Sequence, residues 1–142
     1  MSAFEFTTAN RIIFGAGKLN ELPRLIEGNL KRLLLVRGQS SNAIARVREM
    51  LSAFDIIEFE VRGEPTIESM RAGLEAAQGC DRVLGIGGGS VLDTGKALAA
   101  LVTNPGDLMD YLEVVGKGLP LSNASLPYIA IPTTATSKDC VS

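Results

Sequence analysis

A chain of 142 residues, 46% hydrophobic and 21% charged, has enough apolar content for one domain with a real core. Its formal net charge of −2, with no basic cluster interleaved with aromatics, argues against nucleic acid or an anionic membrane surface as a partner. The sequence contains no histidine, and Cys80 and Cys140 are isolated from one another, so neither a zinc-type cluster nor a disulfide framework is indicated. No apolar run reaches the roughly 18 residues of a spanning helix, and Met1–Phe6 lacks the pattern of a secretion signal. A cytoplasmic protein is expected.

Two short strands, Phe4–Thr7 and Arg11–Phe14, are expected to form an N-terminal hairpin around Thr8-Ala9-Asn10. Lys18–Glu27 then places Leu19, Leu22, Leu25 and Ile26 at helical spacing, with Pro23 set to kink or shorten the helix. Arg32–Val36 is a continuous apolar run that suits a parallel strand buried on both faces. Ser41 or Asn42 caps a helix carrying Ile44, Val47, Met50 and Leu51. Ile56–Val61 is the next strand, and Thr66 caps a helix running to Gln78 with Met70, Leu74 and Ala77 on one side. Arg82–Ile86 is a strand leading into a glycine turn and a helix from Val91 to Val102, which Asn104-Pro105-Gly106 ends. A further short helix is expected over Asp107–Val115, and a last strand over Pro127–Ile131. This alternation predicts an α/β fold: a Rossmann-like parallel sheet with helices on both faces and the short N-terminal β-hairpin. Ligands of such sheets bind beyond the C-terminal strand ends. Arg37-Gly38, Gly87–Ser90 and Pro132-Thr133-Thr134 all fall there, so they are expected to share a crevice.

The triple glycine Gly87-Gly88-Gly89 lets the backbone turn and approach a ligand closely, and the helix behind it points its first N–H groups at whatever fills the turn. It is neither a G-x-G-x-x-G fingerprint, which needs a third glycine at another offset, nor a P-loop, since Ser90 stands where glycine is required and Ala97 follows Lys96. Ser90 and Asp93 have the Ser-x-x-Asp spacing of a capping box, and Asp93 and Lys96 that of an ion pair. In a functional reading, Ser90 donates to a phosphate oxygen and Asp93 accepts from a ribose or nicotinamide-side group. Thr133 and Thr134 either cap a following helix or bind the adenine side of a dinucleotide.

The segments Asn10-Arg-Ile-Ile-Phe-Gly-Ala-Gly-Lys18, Gly87-Gly-Gly-Ser-Val-Leu-Asp-Thr-Gly-Lys-Ala97 and Ala130-Ile-Pro-Thr-Thr-Ala135, in this order, resemble the N-terminal part of the iron-containing (group III) alcohol dehydrogenases. Asn104–Asp107 and Asp110–Glu113 extend the resemblance. It implies an NAD(P)-binding α/β domain over residues 1–135, with 136–142 a divergent tail where the family continues with a glycine-rich segment. It further implies cofactor contacts from Gly38, Gly87, Gly88, Gly89, Ser90, Asp93, Lys96, Thr133 and Thr134. Of these, Gly87–Ser90 would hold the pyrophosphate, and Thr133 and Thr134 the adenosine half. NAD and NADP are both admissible, because Gly38 stands where NAD-preferring members often carry an acidic residue.

The family interconverts alcohols with aldehydes or ketones, and includes maleylacetate reductase-like and glycerol dehydrogenase-like members. Its metal, iron or zinc, is held by an aspartate and histidines of a helical domain that this sequence does not contain. The resemblance therefore implies a truncated, metal-free cofactor-binding part without catalytic residues of its own. A non-catalytic remnant that associates with itself or with a full-length relative is the alternative.

Overall fold

The computed structural model describes residues 10–12, 20, 22–26, 31–39, 41–104 and 123–133, with the backbone alone for 10–12 and 25. Among the described residues nine elements follow in chain order: β1 (Asn10–Ile12), α1 (Leu22–Leu25), β2 (Arg32–Arg37), α2 (Asn42–Met50), β3 (Asp55–Glu60), α3 (Ile67–Ala77), β4 (Arg82–Gly87), α4 (Gly89–Leu101) and β5 (Tyr128–Pro132). The strands form one sheet in the order β1-β5-β4-β2-β3, and every pair is parallel. The Rossmann-like α/β expectation is therefore met. The second hairpin strand becomes β1 and pairs with β5; Phe4–Thr7 and the Asp107–Val115 helix lie outside the described residues.

Alternation along the strands explains the two-faced core. Leu33 and Leu35 of β2, Leu84 and Ile86 of β4 and Ile129 and Ile131 of β5 pack on one face beneath Leu22, Ile26, Ile44, Val47 and Leu51. Leu34, Val36, Val83, Tyr128 and Ala130 point to the other, beneath Ala77, Val91, Leu98 and Ala99 of α3 and α4. Each fully buried aliphatic side chain contributes about 1.5–3 kcal/mol. That burial on both faces is why β2 and β4 read as unbroken apolar runs, whereas the edge strand β3 (Asp-Ile-Ile-Glu-Phe-Glu) is only partly covered.

The helix starts obey their caps. The Ser41 hydroxyl accepts from the Ile44 N–H at 3.3 Å, and Thr66 and Ser69 form a reciprocal capping box at the start of α3. Pro23 occupies the second position of α1, where its missing N–H costs no helical bond. At α4 the expectation is corrected. Gly88 is the N-cap and makes no side-chain capping bond, so Ser90 and Asp93 lie inside the helix rather than forming a capping box.

Two further clamps set the sheet against its connections. The Asp81 carboxylate accepts from the backbone N–H groups of Lys31 and Arg32, closing the start of β2 against that of β4. Buried Asn104, beyond the end of α4, donates to the Ala100 carbonyl at 2.7 Å and accepts from the Asn123 N–H at 2.9 Å. This holds the segment entering β5. Among the described residues no helix is long and apolar enough to cross a membrane.

Candidate dinucleotide site

From β2 the chain steps outward through α2 to β3; from β4 it steps the other way, through α4 toward β5. The strand order therefore reverses between β2 and β4, and the crevice of a doubly wound sheet opens beyond the C-terminal ends of these strands. Gly38, directly after β2, and the first turn of α4 meet at that point: a Cβ built on Gly38 would come within 3.3 Å of Val91 Cγ2.

The three glycines of the turn have different tasks. Gly87 holds φ at +152°, and a Cβ there would lie 3.0 Å from Val91 Cβ, so both conformation and space require glycine. Gly88, at φ −85° and ψ −171°, is extended and serves as N-cap without a capping side chain. Gly89 opens the helix, and a Cβ on it would meet no atom within 4 Å. The first N–H groups of a helix have no intrahelical acceptor and carry its positive dipole end. Here the N-cap offers them no side-chain acceptor, and the space over Gly89 is open.

The other side chains of the region fall into place around this mouth. The Thr133 N–H donates to the Gly87 carbonyl at 2.9 Å, locking the exposed Thr133 to the rim on the β5 side. Gly38 and Thr133 thus flank β4 from opposite sides, about 10 Å apart by strand spacing. Ser90 sits in the first turn of α4, and its hydroxyl donates to Glu64 Oε1 at a long 3.5 Å. Asp93 and Lys96 are exposed on α4, about 6 and 10 Å farther along the axis than Gly89. Gly38, Gly87, Gly88, Gly89, Ser90 and Thr133 therefore gather at the mouth, while Asp93 and Lys96 follow down the helix. Thr134 lies outside the described residues.

Sequence reasoning missed the neighbouring groove. It encloses about 620 Å³ at the C-terminal ends of β2 and β3, lined by Arg37, Gln39, Glu60, Val61, Arg62 and Gly63. Arg37 donates to Glu58 at 2.7 Å and to the Gly38 carbonyl at 2.9 Å, while Arg48 holds the other side of Glu58 at 2.7 and 2.8 Å. The hydrogen bond from Arg48, followed by that from Arg37, lowers the Glu58 pKa to about 2. Arg62 lies 3.2 Å from Glu60, whose carboxyl is held below its ordinary range mainly by that bond. The signal available in the sequence was Arg62-Gly63 directly after an expected strand, matching Arg37-Gly38 after the preceding one.

A family model described as iron-containing alcohol dehydrogenase matches residues 9–141. The chain belongs to the iron-containing alcohol dehydrogenases. It is 37% identical over 131 residues to alcohol dehydrogenase 4 of Saccharomyces cerevisiae, covering 86% of this chain and 33% of that one. To glycerol-1-phosphate dehydrogenase [NAD(P)+] of Methanosphaerula palustris it is 33% identical over 131 residues, covering 88% of this chain and 30% of the relative. In structure it resembles NADH-dependent butanol dehydrogenase A of Thermotoga maritima with a TM-score of 0.73 and 27% identity, over 89% of this chain and 33% of the other. The chain thus spans about a third of the length of these family members. The iron of the family name finds no donor set here: among the described residues no group of three His, Cys, Asp or Glu side chains is placed to hold a metal ion, and the sequence has no histidine.

Proposed function

We propose that this chain binds a nicotinamide dinucleotide across the C-terminal edge of its sheet, as the cofactor-binding part of an oxidoreductase that interconverts alcohols with aldehydes or ketones. The observation that carries the reading is the turn at Gly87–Gly89: a backbone only glycine adopts, an N-cap without a capping side chain, and open space over Gly89. The NADH and NAD(P)+ in two of the names above support it. The diphosphate lies on the N–H groups of the first turn of α4, with Ser90 donating from the side. The adenosine half lies over the ends of β2 and β4, between Gly38 on one side and Thr133 and Thr134 on the other. Asp93 and Lys96 line the outer side of α4, toward the nicotinamide.

When bound, the nicotinamide ring supplies the hydride acceptor or donor. The chain's own part is to fix the diphosphate and thereby aim the ring. The region 1–135 acts as the binding unit in this proposal.

Titration of the chain with NADH, followed by nicotinamide fluorescence and by calorimetry, tests the reading. Saturable binding in the micromolar to millimolar range, competed by ADP, is expected. A flat titration at millimolar NADH and NADPH overturns it.

A further inference from the structure

We propose that Tyr128 is a positioning residue for the diphosphate: its hydroxyl sets where the first turn of α4 stands over the sheet, and so where the N–H groups of the mouth point. This rests on the dinucleotide reading above. The N-cap of α4 is a glycine, so no side chain at the cap fixes the direction of the Gly89, Ser90 and Val91 N–H groups. Their placement has to come from the neighbouring element.

β5 supplies it from both of its ends. Directly after the strand, the Thr133 N–H donates to the Gly87 carbonyl at 2.9 Å. At the start of the strand, the buried Tyr128 donates through its hydroxyl to the Leu92 carbonyl at 2.6 Å. The Leu92 N–H in turn donates to the Gly88 carbonyl at 3.0 Å. The two glycines that precede the helix are thus each tied to β5, Gly87 through a backbone group and Gly88 through the tyrosine.

The hydroxyl does not serve to fill space, since room has been cleared for it. A Cβ would lie 2.5 Å from its oxygen if built on Gly85, and 3.0 Å if built on Gly95. Neither glycine has a positive φ that would require glycine on its own account. Glycine inside a strand or a helix is less favourable than alanine. Two elements therefore each carry an unfavourable residue so that one oxygen can reach α4. The carbonyl it reaches lies within the helix, where the N–H four residues on already supplies a donor. The apolar contacts of Val91, Leu98 and Ala99 hold α4 to the sheet without direction, whereas this bond fixes a point on it.

Calorimetric titration of the full chain with ADP, at a temperature where circular dichroism shows each variant folded, tests this. Tyr128→Phe is expected to weaken ADP about three- to fivefold, in line with one lost hydrogen bond. Val47→Ala, on the opposite face of the sheet, should lower the melting temperature at least as far and leave ADP affinity unchanged. Gly85→Ala combined with Tyr128→Phe fills the vacated space without restoring a donor, and should bind ADP as weakly as Tyr128→Phe. If the single tyrosine variant does not fold, the double variant carries the same comparison with the parent. Parental ADP affinity in Tyr128→Phe overturns the positioning role and leaves the dinucleotide site standing. So does an equal loss in Val47→Ala, which traces the effect to stability, or parental affinity in the double variant, which traces it to packing. Failure of the parent chain to bind ADP overturns this inference together with the reading beneath it.

Discussion

The Tyr128 hydroxyl donates to the Leu92 carbonyl oxygen at 2.6 Å, fastening the first residue of β5 to the first turn of α4. The ring fits because two glycines leave room for it: a Cβ on Gly85 of β4 would lie 2.5 Å from the hydroxyl oxygen, and one on Gly95 of α4 would lie 2.8 Å from Cε1. Burial, with a smaller contribution from the Asp93 charge, raises the phenol pKa, so Tyr128 remains a neutral donor at every pH at which the protein is handled.

Gly85→Ala is therefore expected to destabilise the fold by about 1–3 kcal/mol through overpacking. Tyr128→Phe alone should cost about 1 kcal/mol for the lost hydrogen bond. Because the closest clash is with the hydroxyl itself, the double variant should be less destabilised than the sum of the two. Urea unfolding midpoints of the four proteins measure this coupling. Strict additivity would show that the alanine is accommodated without touching the tyrosine.

Gly87 and Gly89 are expected to separate stability from binding. Gly87→Ala forces a side chain into a left-handed backbone against Val91, and about 1–3 kcal/mol of stability should be lost. Gly89→Val projects into open space, so its melting temperature should stay near that of the parent. Its ADP affinity should fall roughly tenfold or more, since the branched side chain occupies the mouth. Thermal unfolding and calorimetry on the same two proteins test the pair. An unchanged ADP affinity in Gly89→Val would move the diphosphate elsewhere.

Glu58 is expected to govern acid stability on the β2–β3 side. Its folded pKa is lowered from 4.5 to about 2 by Arg48 and Arg37. A depressed carboxyl contributes stability that is fully present above about pH 4.5 and is lost as the pH falls toward about 2. Denaturant unfolding between pH 6 and pH 2.5 should show this decline, and Glu58→Gln should flatten it. A variant with the parental pH dependence would place the acid sensitivity in other carboxylates.

The parts of this fold that sequence made legible are those whose cause is local. Arg32–Arg37 and Arg82–Gly87 are apolar throughout because both faces are covered, and the run alone reveals the strand. Ser41 and Thr66 announce their helices because a hydroxyl at the cap has one nearby N–H to accept from. Ser90-x-x-Asp93 has the same spelling, yet the helix begins two residues earlier; the glycines permit the turn at several positions, and only packing on Val91 chooses among them. The groove was hidden for another reason. Arg37 and Glu60 are register partners on neighbouring strands, and that pairing is settled by the order of the sheet. The position of β1 was hidden likewise, for a three-residue strand says nothing of the partner it will meet.

The pairing of Asn10–Ile12 with Tyr128–Ala130 bears on how the molecule comes into being. A ribosome releases the first of these segments long before the second exists, so β2, β3 and β4 can associate while β1 has no neighbour to receive it. Ring-closing contacts between such distant stretches of chain are slow to form. The edge of the sheet beside β5 is thus completed last, and until then the nascent protein carries an unsheltered rim that assisting chaperones are suited to guard.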